Sequence, residues 1–85
     1  MKIIIQSNAK KQLKNLDFPV QKRIAKFIDN LEELENPRIK GKSLAGNLSG
    51  FWRYRVGDYR IICDIVDSEI TIYILDISHI SKSYK

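Results

Sequence analysis

Three apolar, β-branched runs, residues 51–56, 59–66 and 70–77, are separated only by Gly57-Asp58 and by Asp67-Ser68-Glu69. A parallel return between neighbouring strands needs a crossover of a dozen or more residues, so connectors this short leave an antiparallel meander. With Gly57-Asp58 as a two-residue hairpin loop, Val56 pairs with Tyr59, Arg55 lies opposite Arg60, and Arg53 lies opposite Ile62. Side chains alternate along a strand, so Trp52, Tyr54, Val56, Tyr59, Ile61, Cys63 and Ile65 share one face, assigned to the core. Arg53, Arg55 and Arg60 share the other. A shift of one residue in register would exchange the two faces.

Upstream, residues 2–6 are short and β-branched, and Ser7 stands where an N-cap would, which predicts a strand passing into a helix. Ala9, Leu13 and Leu16 recur on one face of that helix, with Lys10, Lys11, Gln12, Lys14 and Asn15 pointing away. Asp17-Phe18-Pro19 breaks and restarts the helical pattern, proline being favoured in a first turn. Val20, Ile24, Phe27, Ile28, Leu31 and Leu34 then form the apolar stripe of a longer helix. Asn36-Pro37 ends it, and residues 38–50, with Gly41, Gly46 and Gly50, read as an irregular basic loop. The expected fold is α+β: one domain, residues 1–85, with an N-terminal strand, a two-helix hairpin, and a three-stranded antiparallel meander, all in one sheet, before a short C-terminal segment.

The composition, 44% hydrophobic and 29% charged, is that of a folded globular chain. Fifteen Lys and Arg against ten Asp and Glu leave a net charge of +5, which favours nucleic acid or an acidic protein as partner without choosing between them. Cys63 is the single cysteine and sits inside an apolar run, so it reads as core. One His and one Cys argue against a protein-ligated zinc ion. The first residues are too short an apolar stretch for a signal peptide and no later stretch reaches membrane-spanning length, so a cytoplasmic protein without a membrane partner is expected.

Three arginines crowded on one sheet face have two readings. Most charge runs are simply a solvated face. Like charges directly across a strand pair are destabilising, however, which makes an anion site the better account, because guanidinium groups bind phosphate in bidentate fashion and stay charged. His79 and Tyr84 follow the last strand. Metal-free RNA cleavage needs a group to take the 2′-OH proton, a group to protonate the leaving 5′-oxygen, and positive charge on the phosphate. A His, a Tyr and an arginine cluster supply all three, although a lone His near a terminus is more often a surface residue.

The block from Gly41 to Ile62, GKSLAGNLSGFWRYRVGDYRII, and the ending from Asp76-Ile77-Ser78-His79 to Tyr84 resemble the RelE-like toxins of bacterial toxin–antitoxin pairs, and the likeness spans nearly the whole chain. The resemblance implies a microbial-RNase-type sheet with a helical hairpin on one face, and cleavage of ribosome-bound mRNA in the A site by 2′-OH attack, with no cofactor. It gives Arg53 and Arg55 the place of the two basic residues of one strand, and Arg60 that of the arginine contacting the scissile phosphate. His79 falls where several members place a general acid or base, and Tyr84 matches a tyrosine that positions nucleotides. Where members usually carry arginine after the histidine, this chain has Ile80, and Lys82 offers only a point charge in its stead.

Lys40 and Lys42, with Lys82, join Arg53 and Arg55 as expected RNA contacts, and Lys10, Lys11 and Lys14 as a broader basic rim; ordinary solubility is the simpler account of any one lysine. The implied partners are a cognate antitoxin, acidic and partly disordered when free, mRNA on the ribosome, and operator DNA only through the antitoxin complex. The same superfamily includes ParE-like inhibitors of DNA gyrase, which cut no RNA. A member that has lost catalysis and acts as an antitoxin-binding co-repressor is the third reading, kept open by Ile80.

Overall fold

In the computed structural model, which describes residues 1–81, β1 (Lys2–Ile5), α1 (Ser7–Lys14), α2 (Phe18–Glu33), β2 (Lys42–Ser43), β3 (Trp52–Val56), β4 (Tyr59–Val66) and β5 (Thr71–His79) follow in chain order. β3 pairs with β4 in the register the two-residue loop requires: Val56 with Tyr59, Arg55 with Arg60, Arg53 with Ile62. Gly57 has φ +60° while Asp58 stays at negative φ, the pattern of a II′ hairpin turn. β5 returns antiparallel to β4.

The sheet has five strands in the order β1-β5-β4-β3-β2, and is mixed, because β1 runs parallel to β5. The short β2 lies in what the sequence reads as loop. It forms because the preceding segment is strapped to β3: the Trp52 indole N–H donates to the Lys40 carbonyl at 2.7 Å and the buried Tyr54 hydroxyl to the Pro37 carbonyl at 2.7 Å. The backbone comes so close that a Cβ on Gly41 would stand 2.3 Å from the Arg53 carbonyl oxygen, and Gly41 also has φ +78°. Only glycine fits there.

β5 departs from the expected run at both ends. Ile70 leaves the strand in a left-handed conformation, φ 52°, and the strand continues to His79, which pairs with Tyr59. A bulge lies within the β4–β5 ladder: Ile62 pairs with Asp76 but Cys63 pairs with Ile74, leaving Leu75 as the extra residue. The bulge reconciles a sequence that breaks period two, since it lets Ile72, Ile74 and Ile77 all face the core at 2% exposure or less.

Ser7 does not cap α1. Gln6 still donates its N–H to the Ile74 carbonyl at 2.9 Å while its own carbonyl accepts from Lys10, so the strand's last bond falls on Gln6 and Ser7 is already helical. α2 covers the expected residues with Pro19 in its first turn. Its Gln21 side chain closes the end of α1 by donating to the Leu16 carbonyl at 2.7 Å. Ala9, Ile24, Ile28 and Leu31 from the helices pack against Tyr54, Val56, Ile61, Cys63, Ile72, Ile74 and Ile77 from the sheet. The helices therefore cover one face of the sheet and leave Arg53, Arg55 and Arg60 on the other.

Cys63 is fully buried, and burial pushes its thiol up to about 12. The folded state thus prefers the neutral thiol; this contribution is complete below the ordinary thiol range and is lost as pH climbs towards 12. The native protein is expected to resist a thiol reagent at mildly alkaline pH while the urea-unfolded chain reacts with one equivalent, a difference read by absorbance. Tyr54→Phe leaves the Pro37 carbonyl unpaired in a buried place and is expected to cost about 1–3 kcal/mol in urea titration.

Candidate functional site

The uncovered sheet face carries two cross-strand rows. Lys42 pairs with Arg53, Arg53 with Ile62, and Ile62 with Asp76, so these four side chains run across β2, β3, β4 and β5 on one face. In the next row Arg55 pairs with Arg60 and Arg60 with Ser78. Ile62, the apolar centre of the first row, is only 4% exposed.

These two rows thus bring four cations together. Among the described residues the ion pair is Arg38 with Asp67, which ties the segment after α2 to the turn before β5 through bonds of 2.9 and 3.0 Å. That contact holds the exposed Asp67 carboxyl below, and the Arg38 guanidinium above, its usual range. Among the described residues, none of Lys42, Arg53, Arg55 or Arg60 takes part in such a pair. Arg55 donates its Nε–H to the Gly57 carbonyl at 3.0 Å, and Arg60 Nε is buried without a hydrogen-bond partner among the described residues. Two like-charge pairs, Lys42 with Arg53 and Arg55 with Arg60, stand directly opposed, an arrangement that opposes folding. It suits a ligand that brings its own negative charge, because a phosphate oxygen satisfies guanidinium donors and cancels the repulsion together.

The other expected site residues are distributed differently. His79 pairs with Tyr59 and so lies on the helix side, across the strand from the arginines. Its ring meets the Tyr59 ring edge-on at 5.2 Å and 83°, and Nδ1 lies 2.7 Å from the Ser81 hydroxyl oxygen and 3.2 Å from the Ser81 backbone N. With Gln12, Asn15, Leu16, Tyr59, Ile77 and Ser78 it borders an open pocket of about 290 Å³ between α1 and the end of β5. Lys40 turns towards the helices, its ammonium 5.9 Å from the centre of the Phe27 ring, and so does not join the arginine face as Lys42 does. Lys82 and Tyr84 lie outside the described residues.

Two residues near the arginines escape a reading by periodicity. Asp76 stands on the arginine face because of the bulge, which no spacing rule reveals. Gln12, which the helical pattern turns to solvent, is half-buried and bonded to β5: its Nε2 donates to Asp76 Oδ1 at 2.7 Å and its Oε1 accepts from the Ile77 N–H at 2.7 Å. Asn8, one turn earlier, donates to the Leu75 carbonyl at 3.1 Å. β1 ends at Ile5, opposite Ile74, so these two side chains satisfy the stretch of β5 edge that β1 leaves open.

The family model described as the ParE toxin of the type II toxin–antitoxin system parDE matches residues 3–84. Among solved structures the chain resembles one from the RelBE2 toxin–antitoxin complex of Mycobacterium tuberculosis, at 26% identity and TM-score 0.82, over 92% of this chain and 88% of that one. It resembles equally a chain of the archaeal RelE–RelB complex from Pyrococcus horikoshii, at 27% identity and TM-score 0.74, over 95% and 96%. The YoeB/ParE toxin from Agrobacterium tumefaciens shares the fold at 16% identity and TM-score 0.70, over 93% and 98%. No curated protein sequence matches the chain. The chain belongs to the RelE/ParE family and is the toxin of a type II toxin–antitoxin pair.

If the opposed arginines serve a ligand and not the fold, relieving the repulsion stabilises the free protein. Arg60→Gln is expected to raise unfolding stability by up to about 1 kcal/mol at low salt, with a smaller gain at high salt where the repulsion is already screened. Urea titrations at two ionic strengths measure this.

Proposed function

We propose that this toxin is a ribosome-dependent endoribonuclease that cuts mRNA in the A site through attack of a ribose 2′-oxygen on the adjacent phosphorus. The observation that carries the reading is the group of Lys42, Arg53, Arg55 and Arg60 on the uncovered sheet face with no carboxylate in an ion pair to any of them among the described residues. In this reaction negative charge builds on the phosphoryl oxygens as the 2′-oxygen bonds to phosphorus and the 5′-oxygen departs. Fixed guanidinium donors stabilise that charge most, since they need no reorganisation as it develops. Arg60, between Arg55 and Ser78, is the residue assigned to the scissile phosphate; Arg53, Arg55 and Lys42 hold the flanking backbone. Tyr84 and Lys82 are proposed to complete the site from the terminal segment. His79, from the far side of β5, is assigned a lesser role than the resemblance implies.

The partner that silences the toxin is proposed to be an acidic antitoxin, partly disordered when free, which gains association rate from the +5 charge and carries the pair to operator DNA. No described helix is long and apolar enough to cross a membrane, and a cytoplasmic place of action accords with a ribosomal target.

A second reading, inhibition of DNA gyrase without RNA cleavage, is favoured by the ParE description of the matching family and by the separation of His79 from the arginines. Primer extension on mRNA from programmed ribosomes separates the two. Cleavage by the wild-type protein at A-site codons is expected, reduced about 100-fold or more by Arg60→Ala, a loss typical of removing a donor from a developing oxyanion. His79→Ala is expected to cost much less. Absence of cleavage by folded wild type, together with inhibited supercoiling by gyrase, would replace the nuclease reading with the second.

A further inference from the structure

Asp76 is a carboxylate placed among arginines yet kept from them. It stands opposite Ile62, two residue pairs along from the Arg60–Ser78 pair, which makes it the diagonal neighbour of Arg60 on the same face. Diagonal neighbours lie roughly 7–8 Å apart at the backbone, within reach of an arginine side chain. The ion pair does not form, and the Arg60 Nε remains buried without a partner among the described residues. Both Asp76 oxygens are instead engaged elsewhere: Oδ1 accepts from Gln12 Nε2 at 2.7 Å and Oδ2 accepts from Ser78 Oγ at 2.9 Å.

The orientation of the Gln12 amide is determined by its other bond. Because Oε1 accepts the Ile77 backbone N–H, the amino group must be the end that meets Asp76. Gln12 therefore joins a backbone N–H and a carboxylate of the same strand from a helix some 64 residues away in sequence. The bond to the Ile77 N–H serves the open β5 edge; the bond to Asp76 is not needed for that, since an Asp76–Arg60 pair would satisfy both charged groups and relieve the repulsion with Arg55.

We infer that Gln12 is a positioning residue for the phosphate site: by holding Asp76 against α1 it keeps Arg60 un-neutralised, and release of that carboxylate closes the site with an internal counter-ion. This rests on the reading of the arginine face as a phosphate-binding surface and adds the element that sets its affinity. Any movement that lifts α1 from β5 would switch the face from phosphate-binding to self-paired.

The test is a double-mutant cycle on binding of a fluorescein-labelled 2′-O-methyl oligouridine, which carries the phosphates and cannot be cut by 2′-OH attack. Gln12→Ala is expected to bind about tenfold more weakly, the loss of one charge-assisted phosphate contact, with a log–log salt dependence shallower by about 0.7. Asp76→Asn is expected to strengthen binding less than about twofold in the wild-type background but about tenfold in the Gln12→Ala background. Equal effects of Asp76→Asn in both backgrounds would overturn the proposal, since loss of helix packing and not release of the carboxylate would then explain the weakening. Should Gln12→Ala not fold by circular dichroism, Gln12→Glu keeps an acceptor for the Ile77 N–H, repels Asp76, and serves the same cycle with the same criteria. Arg60→Ala is measured alongside. If it binds like wild type, the phosphate-face reading itself has failed; if it is weakened and the cycle shows no coupling, only the role of Gln12 has.

Discussion

The pairing of β3 with β4 across Gly57-Asp58 is the constraint from which the rest of the molecule follows. A two-residue turn admits one register, and that register sends Tyr54, Val56, Ile61 and Cys63 inward and Arg53, Arg55 and Arg60 outward in one step. The core and the cationic face are consequently two sides of the same decision. A slip of one residue would bury three guanidinium groups and expose the core, so the apolar face enforces the placement of the charges.

The opposed arginines oppose folding slightly, and the protein offsets this elsewhere. The buried Tyr54–Pro37 bond, the Trp52–Lys40 bond and the close approach at Gly41 fasten the segment after α2 onto β3, and so extend the sheet to β2. That extension matters for the site because it brings Lys42 opposite Arg53. Loop and site are connected through hydrogen bonds made by residues of the strand whose other side carries Arg53 and Arg55.

α1 has a comparable double duty. Its apolar side contributes Ala9 to the core, while Asn8 and Gln12 act on the part of β5 that β1 is too short to cover. An uncovered strand edge invites pairing with another chain. Satisfying it with side chains instead of another strand leaves the end of β5 accessible, and makes the position of α1 a determinant of what the arginine face presents.

Much of this was legible in the residues themselves. Connector lengths, alternation and helical stripes give the order of elements, the β3–β4 register, the buried Cys63 and the clustering of Arg53, Arg55 and Arg60, because each is local or follows from a turn of two residues. What tertiary structure alone decided is long-range. The parallel pairing of β1 with β5 joins segments some seventy residues apart, and the bulge at Leu75 moves Asp76 to the arginine face and sends His79 to the opposite side. Gln12, polar and on a helix, looks like a solvated residue until β5 lies beside it. Periodicity tells which face a residue takes within its own element. It carries no information on where a ladder gains an extra residue or which edge a helix will cover, since those depend on packing between elements that meet only in the folded chain.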